Sequence, residues 1–174
     1  MRQAAERQAW TEFVEGREAA PIQQPRVTKI QFFVDYKPAP QGSMKAIPIT
    51  TRQGKAGAIV KCDNPQTLPY RERVGWCALE ARAKAGVHDL FADHEIPVRV
   101  AYTFVFQRPK SAPKTRTRPI VKPDYDKLAR STTDALTGIF YKDDCQVVDC
   151  EIHKIYGETE GAHIVVEIVE EEAR

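Results

Sequence analysis

With 174 residues, 42% of them apolar, the chain can fill one hydrophobic core with an appendage, which excludes two full-sized domains. The formal net charge of +2 hides an uneven distribution: no acidic residue stands between Glu95 and Asp124, where Arg99, Arg108, Lys110, Lys114, Arg116, Arg118 and Lys122 are all basic, while acid gathers from Glu167 to Glu172. No N-terminal stretch has the apolar core of a signal peptide or membrane span, and Cys62, Cys77, Cys145 and Cys150 contain no CxxC pair, so free thiols in a cytoplasmic protein with no membrane partner are expected.

Residues 1–25 are rich in Ala, Glu, Gln and Arg, with Trp10, Phe13 and Val14 as the only bulky apolar cluster, and read as a helical or disordered appendage to a domain spanning 26–174. From Val27 the texture changes. Ile30, Phe32 and Val34 alternate with a period of two, predicting a strand that Pro38, Pro40 and Gly42 stop. Lys45 to Thr51 and Ala56 to Cys62 predict a hairpin with a basic tip, Arg52 to Lys55. Asn64-Pro65 then reads as an N-cap with proline at the first helical position. Tyr70, Val74, Cys77, Ala78, Ala81 and Ala85 share one face of the helix that follows, until Gly86.

Val98 to Phe106 predicts an interior strand, because Val98, Val100, Tyr102, Phe104 and Phe106 share one face and the other face is also fairly apolar. The proline-punctuated basic run Gln107 to Pro119 predicts an exposed, mobile loop. A second helix is expected from about Asp126 to Leu136, with Leu128, Thr132, Ala135 and Leu136 inward and Gly138 closing it. Gln146 to Tyr156 and Ala162 to Val169 complete the pattern as strands. The order describes a compact α/β (α+β) domain with a mixed sheet and two main helices.

Chemistry concentrates between Lys122 and Val148. Pro123 pushes Lys122 toward extended backbone, and an extended Asp124-x-Asp126 would turn both carboxylates the same way, with Asp126 capping the helix and Arg130 one turn on. Asp143-Asp144 returns just before a strand, from where one of the two could meet the first pair. Close carboxylates repel by roughly 4 kcal/mol at 4 Å in an effective dielectric of about 20. A hard divalent cation such as Mg²⁺ relieves this with one or two carboxylates plus a phosphate. An EF-hand is excluded because Leu128 and Ala129 fall where an oxygen ligand and a glycine are required. Taken singly, D-x-D before a helix is ordinary capping and Lys142-Asp143-Asp144 an ordinary turn; taken together beside a cationic loop, they suit hydrolysis of a nucleic-acid phosphodiester. Zinc is disfavoured, since His88, His94, His153 and His163 stand at no finger or ribbon spacing from the cysteines.

The ordered run Asp124-x-Asp126-Lys127-Leu128-x-Arg130-x-x-x-Asp134-Ala135-Leu136, followed by Asp143-Asp144-x-Gln146-Val147, resembles the RusA family of Holliday junction resolvases. The segment Pro38-x-Pro40-x-Gly42-Ser43 is similar to one found near the start of many relatives. The resemblance implies a Mg²⁺-dependent homodimeric endonuclease, with Mn²⁺ able to substitute, that places paired nicks in four-way junction DNA. It implies that Asp124, Asp126 and Asp144 are the essential acids and metal ligands. It also places Arg130 where the family usually has a catalytic lysine, and Lys127 where it usually has asparagine. Arginine keeps the charge of lysine but not its capacity to give up a proton. Phosphate contacts are expected from Lys45, Arg108, Lys110, Lys114, Arg116, Arg118, Lys122 and Lys127. A nuclease for other branched or duplex DNA, and a catalytically weak junction-binding protein, are the alternatives.

Overall fold

The computed structural model describes residues 28–50, 52, 54–87 and 96–169; the appendage expected at 1–25 and the end of the acidic tail lie outside the described residues. The first period-two run forms β1 (Lys29–Val34), which buries Ile30 and Val34. It is followed by β2 (Met44–Thr50), β3 (Ala56–Cys62), α1 (Thr67–Lys84), β4 (Val98–Phe106), α2 (Tyr125–Leu136), a 3-10 turn (Asp144–Gln146), β5 (Val147–Tyr156) and β6 (Gly161–Ile168). The result is an α+β domain.

Four strands form a mixed sheet in the order β1-β6-β4-β5, and β2 and β3 pair with each other in a separate two-stranded sheet. As expected, β4 is interior, antiparallel to β6 and parallel to β5. A parallel neighbour requires a crossover, and α2 provides it between β4 and β5. Val98, Val100, Tyr102 and Phe104 of β4 are fully buried, as are Tyr70, Val74 and Ala78 of α1 and Leu128 and Leu136 of α2.

Polar side-chain ties fix α2 over this core. Tyr70 Oη and Thr132 Oγ1 lie 2.9 Å apart, as do Tyr102 Oη and Thr133 Oγ1. Burial pushes both phenols above their usual range, so they stay neutral and their hydroxyls remain available to these bonds. An Arg71–Asp134 ion pair then joins α1 to α2. Asp134, part of the D-A-L motif, therefore holds two helices together. Ala135 is less buried than its place in the expected stripe suggests, and Ala129 and Ser131 join Leu128, Thr132 and Leu136 as the buried residues of the helix.

The start of α1 differs from expectation. The helix begins at Thr67 with Gln66 at the N-cap, and no side chain caps it. Asn64 instead closes the preceding turn, its Oδ1 accepting from Gln66 N at 3.1 Å, while its Nδ2 donates to Pro40 O at 2.8 Å. The asparagine is thus used to anchor the segment that leads into the hairpin. That segment is tightly packed at Gly42, where a Cβ would lie 2.6 Å from Asn64 N and closer still to Asp63 Oδ1. Gly42→Ala should therefore destabilise by about 1–3 kcal/mol, read as a lowered urea midpoint.

Candidate active site

The approach to α2 is built from Lys122-Pro123, a cis peptide, and from Asp124, which is extended at the N-cap with φ −69° and ψ 141°. Leu128 must face the core, and its N–H bonds back to Asp124 O at 3.2 Å, so the helix starts at Tyr125. The expected extended D-x-D is therefore corrected: Asp126 lies within the first helical turn and does not cap it, and Asp124, which holds the N-cap position, makes no capping bond. Asp124 Oδ2 instead meets Lys127 Nζ at 3.2 Å. The negative charges sit at the positive end of the helix dipole.

The two carboxylates consequently line adjoining spaces. Asp124 lines a cleft of about 820 Å³ with Lys122, Lys127 and Lys154, and Asp126 lines a neighbouring one of about 280 Å³ with Arg130. Lys127 and the Gln41–Ser43 segment border both. Gln41 N also bonds to Lys127 O at 2.9 Å, which ties the segment to the first turn of α2.

Lys154 of β5 is a cleft residue that no sequence motif marks. Its ammonium donates to Val121 O at 2.8 Å and Pro123 O at 2.6 Å, holding the chain just ahead of Asp124. Desolvation lowers its pKa, and the charge of Asp124 opposes that shift. Only its register opposite Phe104, in a parallel pair, brings it here.

Asp143 and Asp144 divide their tasks. Asp143 Oδ1 accepts from Cys145 N at 3.0 Å and caps the 3-10 turn. Gln146 locks the same turn: its Oε1 accepts from Lys142 N at 2.8 Å and Asp143 N at 3.2 Å, and its Nε2 donates to Ile96 O at 3.0 Å. Gln146→Ala removes bonds inside a buried site and should cost about 1–3 kcal/mol, measured by denaturant unfolding. Asp144, the first residue of this turn, is exposed. It stands at the Val147 end of β5, whereas Lys154, which reaches the loop before Asp124, is seven residues along the strand, on the order of 23 Å at 3.3 Å each. Among the described residues, no group of three or more His, Cys, Asp or Glu is placed to hold a metal ion. Within one chain, Asp124, Asp126 and Asp144 are therefore not gathered into one such group.

The basic loop is exposed as expected, with Lys110, Lys114 and Arg118 on its surface and Arg116 partly buried. Arg108 does more than present charge: it donates to Arg116 O at 2.6 Å and to Pro113 O, and lies over the Tyr156 ring at 5.7 Å. It shapes the loop that carries the other cations. Lys45, on the hairpin, pairs with Asp63 at 3.4 Å. All four cysteines are free, Cys145 and Cys150 exposed and the other two partly buried.

An α+β domain with carboxylates at a helix start, lysines around the cleft and a cationic loop above it is of the class that handles phosphodiesters. A model of the endodeoxyribonuclease RusA family matches residues 35–169, and the chain belongs to that family. It is also similar to the "Uncharacterized protein YqaN" of Bacillus subtilis (strain 168), with 37% identity over 60 residues, which is 34% of this chain and 42% of that protein. The chain thus aligns with less than half the length of this relative. Among the described residues, no helix is long and apolar enough to cross a membrane.

Proposed function

We propose that the protein is a Mg²⁺-dependent endonuclease that resolves four-way DNA junctions by paired nicks. The supporting observation is the placement of Asp124 and Asp126 around Lys127, in clefts lined by Lys122, Lys154 and Arg130 and adjoining the acid-free basic loop. Residues 1–25 are an appendage to this nuclease unit, in keeping with a family match that begins at residue 35.

Carboxylate oxygens are the donors a hard cation prefers, and Mg²⁺ is commonly held by only one or two of them. Asp124 and Asp126 would hold it. Bound there, the ion supplies charge neutralisation at the phosphoryl oxygens and a more acidic water. Lys122 and Lys127 bind the backbone beside the scissile phosphate, and Lys110, Lys114, Arg116 and Arg118 extend that grip outward. Lys154 positions the Val121–Pro123 backbone, and Arg130 presents its guanidinium to phosphate next to Asp126. Arg130 binds charge and transfers no proton.

Asp144 enters such a site only from another copy of the chain. A C2 homodimer opposes two equivalent sites, as two cuts in a nearly two-fold symmetric junction require, and can set the partner subunit's Asp144 beside Asp124 and Asp126. A junction-cleavage assay with Mg²⁺, Mn²⁺ or chelator tests the proposal: cleavage only with metal supports it, and equal cleavage of a linear duplex would instead select a general duplex nuclease. The second reading, a junction-binding protein with little catalysis, is favoured by Arg130 alone. Tight, salt-dependent junction binding without nicking in either metal would select that reading.

A further inference from the structure

Strands β2 and β3 pair through seven residue couples, from Met44 opposite Cys62 to Thr50 opposite Ala56, and neither joins the main sheet. At about 3.4 Å per residue this is a ribbon on the order of 24 Å long. Strand alternation places Ile47, Ile49 and Ile59 on one face and Met44 and Val60 on the other, and all five are exposed. A lone two-stranded ribbon is at best marginally stable in water, and contiguous exposed apolar surface marks a contact with something else.

Charge identifies that contact. From Met44 to Cys62 the sequence contains Lys45, Arg52, Lys55 and Lys61 and no acidic residue. Lys45 lies at the root, and Arg52 and Lys55 are exposed at the tip. Lys45 already pairs with Asp63, and a second copy of the ribbon would bring basic residues against basic residues without a single acid within 44–62 to offset them. DNA supplies phosphates for both ends and apolar sugar and base edges for the middle.

Position agrees with charge. The ribbon rises directly from Gln41–Met44, the segment that borders the clefts of Asp124 and Asp126. A ribbon of this kind fits the major groove, about 12 Å wide, where apolar side chains meet thymine methyl groups and cations at either end reach the backbone. We propose that β2–β3 is a DNA arm, which lies in the groove of the duplex flanking the scissile phosphate, with Arg52 and Lys55 on phosphate and Ile47, Ile49 and Ile59 against the groove. The inference rests on the DNA-nuclease reading above and adds to it a contact remote from the carboxylates.

The test uses the full chain carrying Arg52→Gln and Lys55→Gln, both at an exposed tip. Binding to a four-way junction, and to a linear duplex with the sequence of one junction arm, is measured in chelator at a series of salt concentrations, and molecular mass is followed by sedimentation. Loss of two phosphate contacts should weaken binding to both probes and lower the slope of log affinity against log salt by about 1.8. Mass should stay that of the unsubstituted protein. Unchanged affinity and slope would overturn the arm while leaving the nuclease reading intact. A change in mass with an unchanged slope would also overturn it, making the ribbon a self-association element. Failure of the unsubstituted protein to bind either probe would remove the nuclease reading and the arm together.

Discussion

Asp126→Asn is expected to lower junction nicking in Mg²⁺ on the order of 10³-fold, while junction affinity measured in chelator changes little. Asparagine keeps the size and one oxygen of aspartate but loses the anion on which cation binding depends. Asp126 is exposed in the first turn of α2, and its side chain supports no core packing, so a folding defect should not imitate the catalytic loss. Binding should persist because Lys110, Lys114, Arg118 and Lys122 remain, and removing a negative charge near them does not weaken attraction for phosphate. Unchanged unfolding midpoint with lost nicking is the expected pair of results. Undiminished nicking would remove Asp126 from the catalytic set.

Mixing two inactive variants has the next largest expected effect. Asp126→Asn and Asp144→Asn homodimers should each be inactive in separate assays. If each site combines Asp124 and Asp126 of one subunit with the partner subunit's Asp144, a mixed dimer contains one intact site and one that lacks both acids. Equimolar subunits that exchange freely form mixed dimers half of the time by random pairing, so about a quarter of the unsubstituted site number returns. Those sites make single nicks, because the opposing site is dead. A site contained within one chain predicts no recovery at all. Nicked-circle products from a plasmid-borne junction, compared with linear products of paired cutting, separate the two outcomes.

The sequence resolved the elements whose pattern is local. The periods of β1, β4 and α1, the hairpin between two apolar runs and the exposed basic loop all follow from spacing and from proline and glycine punctuation. Helix starts were less legible. Asn64-Pro65 has the composition of a helix cap, yet Asn64 is tied to Pro40 across the fold, and the demand that Leu128 face the core moved the start of α2 to Tyr125. Gln146 carries no chemical signal in isolation. Its burial beneath Ile96 explains its place in the D-D-x-Q-V run.

What the sequence determined by itself is the inventory: acids at the start of a helix, a cationic loop before it, two α-helices and the strands around them, and the ordered motif that marks the family. These depend on residue type and near-neighbour spacing. Only the tertiary structure decided which of them meet. β4 enters between β5 and β6 although those two are consecutive in the chain, and the parallel register of β4 with β5 carries Lys154 to the Asp124 loop while leaving Asp144 in the turn that precedes the other end of the strand. Strand pairing is a long-range choice, driven by burying Val98, Val100, Tyr102 and Phe104 of β4, and no spacing in the segment from Lys122 to Val148 encodes it.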